Sequence, residues 1–204
     1  TGSSIAGGAG AYFYTYVLGD MKLMSGVSNI GLIASLVGIV MGPYLANRFG
    51  KKKVYLTAVI ISTALNLLRL LDVTSMILIY ISALIGGVAG GWMVPVSTSI
   101  QADNTTYVQY KTGKRAEAAI ASLTSFVSKV AQGLGGAIPG YVIAAYGFVT
   151  GASVQPESIN TGIILCALIL PLIFGILGSL IFGTQYTLDQ KAVIEMDAKI
   201  NRNN

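Results

Sequence analysis

Residues 25–53 read SGVSNIGLIASLVGIVMGPYLANRFGKKK. No charged side chain interrupts the run from Ser25 to Ala46, and then Arg48, Lys51, Lys52 and Lys53 arrive together. A helix that crosses a bilayer needs roughly 20 mostly apolar residues, so this stretch reads as one span closed by a basic turn. The pattern recurs along the chain. Apolar stretches cover Ser4–Leu18, Ser25–Ala46, Val54–Leu71, Ser75–Ile100, Ala118–Val149 and Thr161–Gly183, broken at charged or glycine-containing turns. The reading is an all-α membrane protein: six transmembrane helices over residues 1–184, the first of them short, and a tail over residues 185–204.

Composition agrees. Of 204 residues 53% are hydrophobic and only 10% charged, with mean hydropathy +0.70, where a soluble chain carries about 25% charged residues. There is one cysteine, Cys166, and no histidine. That excludes an internal disulfide framework, a cysteine-based zinc site and any Ser-His or Cys-His nucleophile pair. No buried carboxylate pair is in view for acid–base work either, so no enzyme is expected. The net charge of +5 comes without a basic stripe interleaved with aromatics, which speaks against nucleic acid as a partner and for membrane topology as the reason for the basic residues.

The basic residues orient the chain. Arg48 and Lys51–Lys53 follow the second span, Lys111, Lys114 and Arg115 the fourth, and Lys191, Lys199 and Arg202 the sixth. Cytoplasmic loops hold the excess of Lys and Arg, so these turns and the C-terminus are expected in the cytoplasm. Lys22 and Arg69 sit at the opposite turns. The chain opens at Thr1 without methionine or a basic leader, and its first apolar run is short before the Gly19-Asp20 turn. It reads as starting partway through a helix rather than with a signal peptide.

One basic residue fits no turn. Lys129 lies inside the fifth span, where an ammonium costs several kcal/mol unless something offsets it. Helical spacing places Ser122, Ser125, Gln132 and Gly136 on its face, a polar stripe. It stands about 16 Å from the cytoplasmic end near Ala118 at 1.5 Å per residue, close to the middle of the membrane. The eight acidic residues all fall in turns, ends or the tail, so a countercharge is expected from a substrate, a coupling ion or another six-helix half. The alternative is a structural lysine satisfied by a neighbouring carbonyl or carboxylate. Small-xxx-small pairs among Gly86, Gly87, Gly90 and Gly91 and among Gly133, Gly136 and Gly140 read as helix-packing positions. Pro95 and Pro139 mark kinks. In the tail, Leu188, Ala192, Met196 and Ile200 share one face, as in a short amphipathic helix at the cytoplasmic surface.

Two stretches carry a resemblance. GPYLANRFGKKK, Gly42–Lys53, resembles the loop signature of the major facilitator superfamily, with Asn47 in place of its acidic residue and Arg48, Gly50, Lys51 and Lys52 fitting. ADNTTYVQYKTGKRAE, Ala102–Glu117, followed by Ser125, Lys129, Gly133, Gly135 and Gly136, is similar to the loop and next helix of the glycoside-pentoside-hexuronide:cation symporters, the melibiose permease family. Tyr14, Tyr16, the Val17–Asp20 turn and the Tyr186-x-Leu188 tail resemble the same family.

The resemblance implies helices seven to twelve of a twelve-helix carrier, with an N-terminal six-helix half as partner, in a bacterial inner membrane. It implies a sugar or glycoside substrate and a sodium ion or proton as coupling cation, the cation held mainly by the other half. Lys129 then matches a lysine beside the sugar and cation sites, and Thr124 and Ser125 match polar positions before it; Gln132 joins them on the stripe. Asp103 and Arg115 match residues that close the inner gate, with Arg48 in the facing turn. Thr106 and Gln109 stand where acids are common, which implies a thinner salt-bridge network. Trp92 and the tyrosines Tyr12, Tyr14 and Tyr16 offer rings for stacking on a sugar, or for packing in the core or the interfacial belt. Two alternatives stay open: a sodium-coupled lysophospholipid carrier of a related branch, and a six-helix membrane assembly protein.

Overall fold

In the computed structural model, residues 2–152 and 154–202 are described. Helix α1, Gly2–Tyr12, runs on as a π-helical turn over Phe13–Val17. There follow α2, Lys22–Phe49; α3, Lys51–Leu71; α4, Met76–Thr112; and α5, Glu117–Ala145. Helix α6, Ser158–Ile164, passes through a second π-helical turn, Leu165–Ile169, into α7, Leu170–Gln185, and α8 spans Gln190–Arg202. No strand occurs among the described residues. Thr1, on which the reading of a mid-helix start rests, lies outside them.

Four helices are long and apolar enough to cross a membrane: α2, α3, α4 and the continuous rod Ser158–Gln185. This is an integral membrane protein. Helix α5 has the length, at 29 residues, but Ser122, Thr124, Ser125, Ser128, Lys129, Gln132 and its glycines dilute its hydropathy. Helix α1 is limited by length.

Two glycines set the ends at the lysine-rich side. Gly50, at φ +87, separates α2 from α3 by a single residue, and its N–H closes α2 on the Ala46 carbonyl at 2.9 Å. Gly113, at φ +70, ends α4 in the left-handed conformation that glycine adopts freely, its N–H bonded to Gln109 O at 2.8 Å. The loop expected from Ala102 is therefore helix until Thr112. Nothing between those residues breaks a helix, and their polarity marks emergence from the bilayer rather than a loss of helical structure. At 37 residues, α4 is about 55 Å long against a hydrocarbon core of about 30 Å, so its last turns stand beyond the membrane. Helix α5 ends at Ala145, short of the expected Val149, and Gly147 at φ +93 follows it.

Helices α2 and α4 make the closest pairing. A Cβ added to Gly87 would stand 2.6 Å from the Gly31 carbonyl oxygen, and one on Gly42 would stand 2.6 Å from the Pro95 ring. Gly91 rests on the Ser35 backbone and Gly38 on the Val88 carbonyl more closely still. Small residues on successive turns of both helices thus let backbone meet backbone, the contact that holds helices together in lipid. Of the four glycines singled out on α4, Gly87 and Gly91 do this work; a Cβ at Gly90 would meet nothing, and one at Gly86 only Leu65 at 3.6 Å. On α5 the packing residue is Gly135, seated on Ser4 and facing Gly8, whereas Gly133, Gly136 and Gly140 look into open space. One buried cluster joins Ile5, Ala9 and Phe13 of α1 to Ile143, Ile163 and Leu168; a second, at the lysine-rich end, gathers Ala46, Val54, Val96, Ile100 and Tyr186.

A matched pair of substitutions tests the α2–α4 seam. Gly91→Ala forces a methyl against the Ser35 backbone and should cost about 3 kcal/mol or more, seen as a lower melting temperature in detergent. Gly90→Ala, one residue back, should melt like the parent; equal losses at both positions would refute the seam.

Candidate functional site

Helix α5 joins the bundle through one edge only. Gly135, Pro139 and Ile143 are buried against α1 and its neighbours. Around Lys129 the helix is open on nearly all sides: Ser122, Ser125, Lys129, Gln132, Gly133 and Gly136 are all exposed, and Thr124 is half-buried. Lys129 has no hydrogen-bond or ion-pair partner among the described residues. Helical spacing sets Ser125, Lys129 and Gln132 on one side of this open stretch, with the exposed Leu123, Phe126, Val127 and Val130 on its other sides.

Trp92 and Tyr14 lie elsewhere. Trp92 borders an apolar cavity of about 570 Å³ between α2, α3 and α4, with its indole Nε1 buried and without a hydrogen-bond partner. Tyr14, on the first π-helical turn, lines a cavity of about 210 Å³ beside Arg69. Tyr12 and Tyr16 pack their rings on Phe148 at 5.7 and 5.8 Å. The aromatic residues are therefore not grouped around the lysine.

At the lysine-rich end, Asp103 is 6% exposed and is the charged residue in that buried cluster's midst. Lys51 Nζ donates to both of its carboxylate oxygens, at 2.8 and 2.7 Å, with the two side chains 18% and 8% exposed. The Tyr186 hydroxyl donates to Asp103 Oδ2 at 3.4 Å. Burial, then the charge of Asp103 and the hydrogen bond to it, push the Tyr186 phenol up to about 12. The arrangement ties the first residue of α3 to α4 and to the chain leaving α7. The sequence signature lacks its acid at Asn47; here the acid comes from α4 instead. Arg48 and Arg115 do not join this group. Arg48 donates to Tyr44 at 3.4 Å and lies over the Phe49 ring, within its own helix end. Arg115 lines a separate cavity with Thr106, Gln109, Glu117 and Asp197, where α8 docks on the extension of α4, Lys199 lying 5.8 Å from the Tyr110 ring.

Residues 1–190 match the profile of the family described as MFS/sugar transport protein. The chain belongs to that family. Among its relatives, the glucuronide carrier protein homolog of Escherichia coli is 30% identical over 204 residues, covering 96% of this chain and 44% of its own length. The isoprimeverose transporter of Lactiplantibacillus pentosus is 28% identical over 154 residues, covering 73% of this chain and 31% of its own length. The putative sulfoquinovose importer of E. coli is 25% identical, covering 94% and 41%. The chain thus spans less than half the length of these relatives.

Set in this family of transport proteins, two features escape the sequence reading. In sequence Lys51 counts among the orienting charges, and only the one-residue turn at Gly50 reveals that it reaches Asp103. Arg69 reads as a turn residue, whereas it is a half-buried residue of α3.

Asp103→Asn should leave Lys51 unpaired and lower stability by about 1–3 kcal/mol, and the exchange Lys51→Asp with Asp103→Lys should recover part of the loss in a double-mutant cycle. No coupling in the cycle would mean that the pair contributes nothing to stability. In an ultraviolet titration, the difference between wild type and Tyr186→Phe should show one phenol ionising near pH 12 rather than at the ordinary 10.0. The folded-state value is the raised one, so this phenol favours the folded state below pH 10 and ceases to as pH climbs towards 12.

Proposed function

We propose that this chain is the C-terminal half, helices seven to twelve, of a cation-coupled symporter for a sugar, glycoside or hexuronide. The observation that carries this reading is the exposed polar stripe of α5, with Lys129 at its centre and no partner for its charge among the described residues. In a bilayer such a face is costly unless water, substrate or protein covers it. The names of the relatives, a glucuronide carrier protein homolog and an isoprimeverose transporter among them, support this class of cargo.

On this reading, α1 with its π-helical turn, α2, α3, α4, α5 and the α6–α7 rod form six spans, and α8 is a tail. The lysine-rich end lies in the cytoplasm, as does the C-terminus, and the membrane is the bacterial inner one. The N-terminal half covers the α5 face, and a midplane site between the halves is exposed alternately as they rock. Lys129 donates to sugar hydroxyls or holds a carboxylate, while Ser125, Thr124 and Gln132 complete the polar wall. The coupling cation, sodium ion or proton, is bound mainly by the other half. Trp92 and Tyr14, the other residues proposed to contact substrate, border cavities apart from Lys129. The bond between Lys51 and Asp103 keeps α3 and α4 moving as one body near the inner gate, and Arg115 with Glu117 lies at its rim.

Uptake into proteoliposomes holding the full-length protein tests this. Gradient-driven uptake of at least one labelled glycoside or hexuronide should appear with an imposed sodium or proton gradient and should fall at least about tenfold, roughly 1.4 kcal/mol, in Lys129→Ala. Undiminished uptake in Lys129→Ala would remove the lysine from the transport site.

A further inference from the structure

Arg69 lies close to the end of α3 that points away from the lysine-rich side, and the simplest fate of an arginine there is to reach outward to water. Its guanidinium turns inward instead. Cζ stands 5.1 Å from the centroid of Phe13, itself 2% exposed, and Nε is buried without a hydrogen-bond partner. Among the described residues no carboxylate lies within ion-pair distance of it. The nearest acid in sequence, Asp72, turns Oδ1 to the backbone N–H and hydroxyl of Thr74. A guanidinium does not shed its proton, so the charge persists and its donors need acceptors.

The space it meets is built for acceptors that carry charge. An open cavity of about 210 Å³ is lined by residues of the first π-helical turn, α2, α3 and α4, and its polar wall consists of Tyr14, Ser62, Asn66, Arg69 and Ser82. No acidic side chain lines it. Ser62, Asn66 and Arg69 follow one another at helical spacing on one face of α3. Ser62 and Asn66 also line a second cavity of about 360 Å³ reaching α7, so the polar seam continues along the helix. The first cavity alone has room for several waters at about 30 Å³ each, and equally for a carboxylate or sulfonate group.

We propose that this cavity is a binding site for one anionic group of the carboxylate or sulfonate class. Arg69 supplies the charge and forked donors, and Tyr14, Asn66 and the two serines supply neutral donors around it. Such a group has two sources, a free small anion or the acidic substituent of a larger solute. The site does not depend on the transport reading, because binding is measured without a gradient.

Thermal unfolding of the purified full-length protein, titrated with sodium acetate, sodium methanesulfonate or methyl glucuronide, tests the assignment. Wild type and the surface control Lys22→Gln should be stabilised along a saturating curve. Arg69→Gln should lose the saturating component, and Arg69→Lys should keep it with a midpoint weakened about tenfold, as expected for one charge-assisted bond lost. Saturation by acetate identifies a free-anion site; saturation by the glucuronide alone identifies a site for a solute's acid group. A wild-type response that rises linearly without saturation overturns the proposal by itself, whether or not Arg69→Gln folds. So does a saturating response unchanged in Arg69→Gln.

Discussion

The rest of the structure depends on the backbone contact between α2 and α4. Lipid gives apolar side chains no reason to leave it for one another, so helices associate where their backbones come close enough for dispersion contacts to accumulate. Gly31, Gly38 and Gly42 opposite Gly87, Gly91 and Pro95 provide that approach. Because Gly50 alone separates α2 from α3, the α2–α4 register also fixes where α3 begins, and it sets Lys51 against Asp103. The ion pair is buried enough that its Coulomb attraction and its desolvation cost nearly offset. Its role is better understood as fixing register between α3 and α4 than as a large source of stability.

The same packing leaves α5 loosely attached. Helix α1 holds it through Gly8, Ser4 and Gly135, and the stretch around Lys129 stands open. The open glycines Gly133, Gly136 and Gly140 give that face a flat, side-chain-poor surface around Lys129. A surface with backbone exposed between polar groups suits close approach by a hydroxylated solute or a second bundle, and it suits lipid poorly. The two parts thus differ in packing: α2 and α4 meet backbone to backbone, whereas the Lys129 stretch of α5 stays open.

Much of this was legible in the sequence, for identifiable reasons. Apolar runs against charged turns mark most helix ends to within a few residues, the end of α4 excepted, since few residues tolerate hydrocarbon. Helical spacing alone placed Ser125, Lys129 and Gln132 on one face. What escaped depended on information that periodicity does not carry. The polarity of Ala102–Thr112 signalled solvent and was taken for a loop, although solvent and helix are compatible. Which glycines pack depends on the crossing of α2 and α4, not on the spacing that Gly86/Gly90 shares with Gly87/Gly91. Arg69 looked like an orienting charge because one residue near a helix end gives no sign of whether its side chain points out or in. The partner of Asp103 lies 52 positions away, beyond any local pattern.

The central claim is that the Lys129 face of α5 borders water within the membrane. Cysteine accessibility addresses it most directly. In a full-length protein with Cys166→Ala, single cysteines at Ser125, Gln132 and Gly136 would be exposed to a charged, membrane-impermeant thiol reagent, alongside cysteines at the exposed apolar positions Leu177 and Leu180 of α7. The account predicts rapid labelling at the three α5 positions and little at the two on α7. Equal resistance at all five positions would contradict it, for then the face of Lys129 would be covered by lipid or by tightly packed protein.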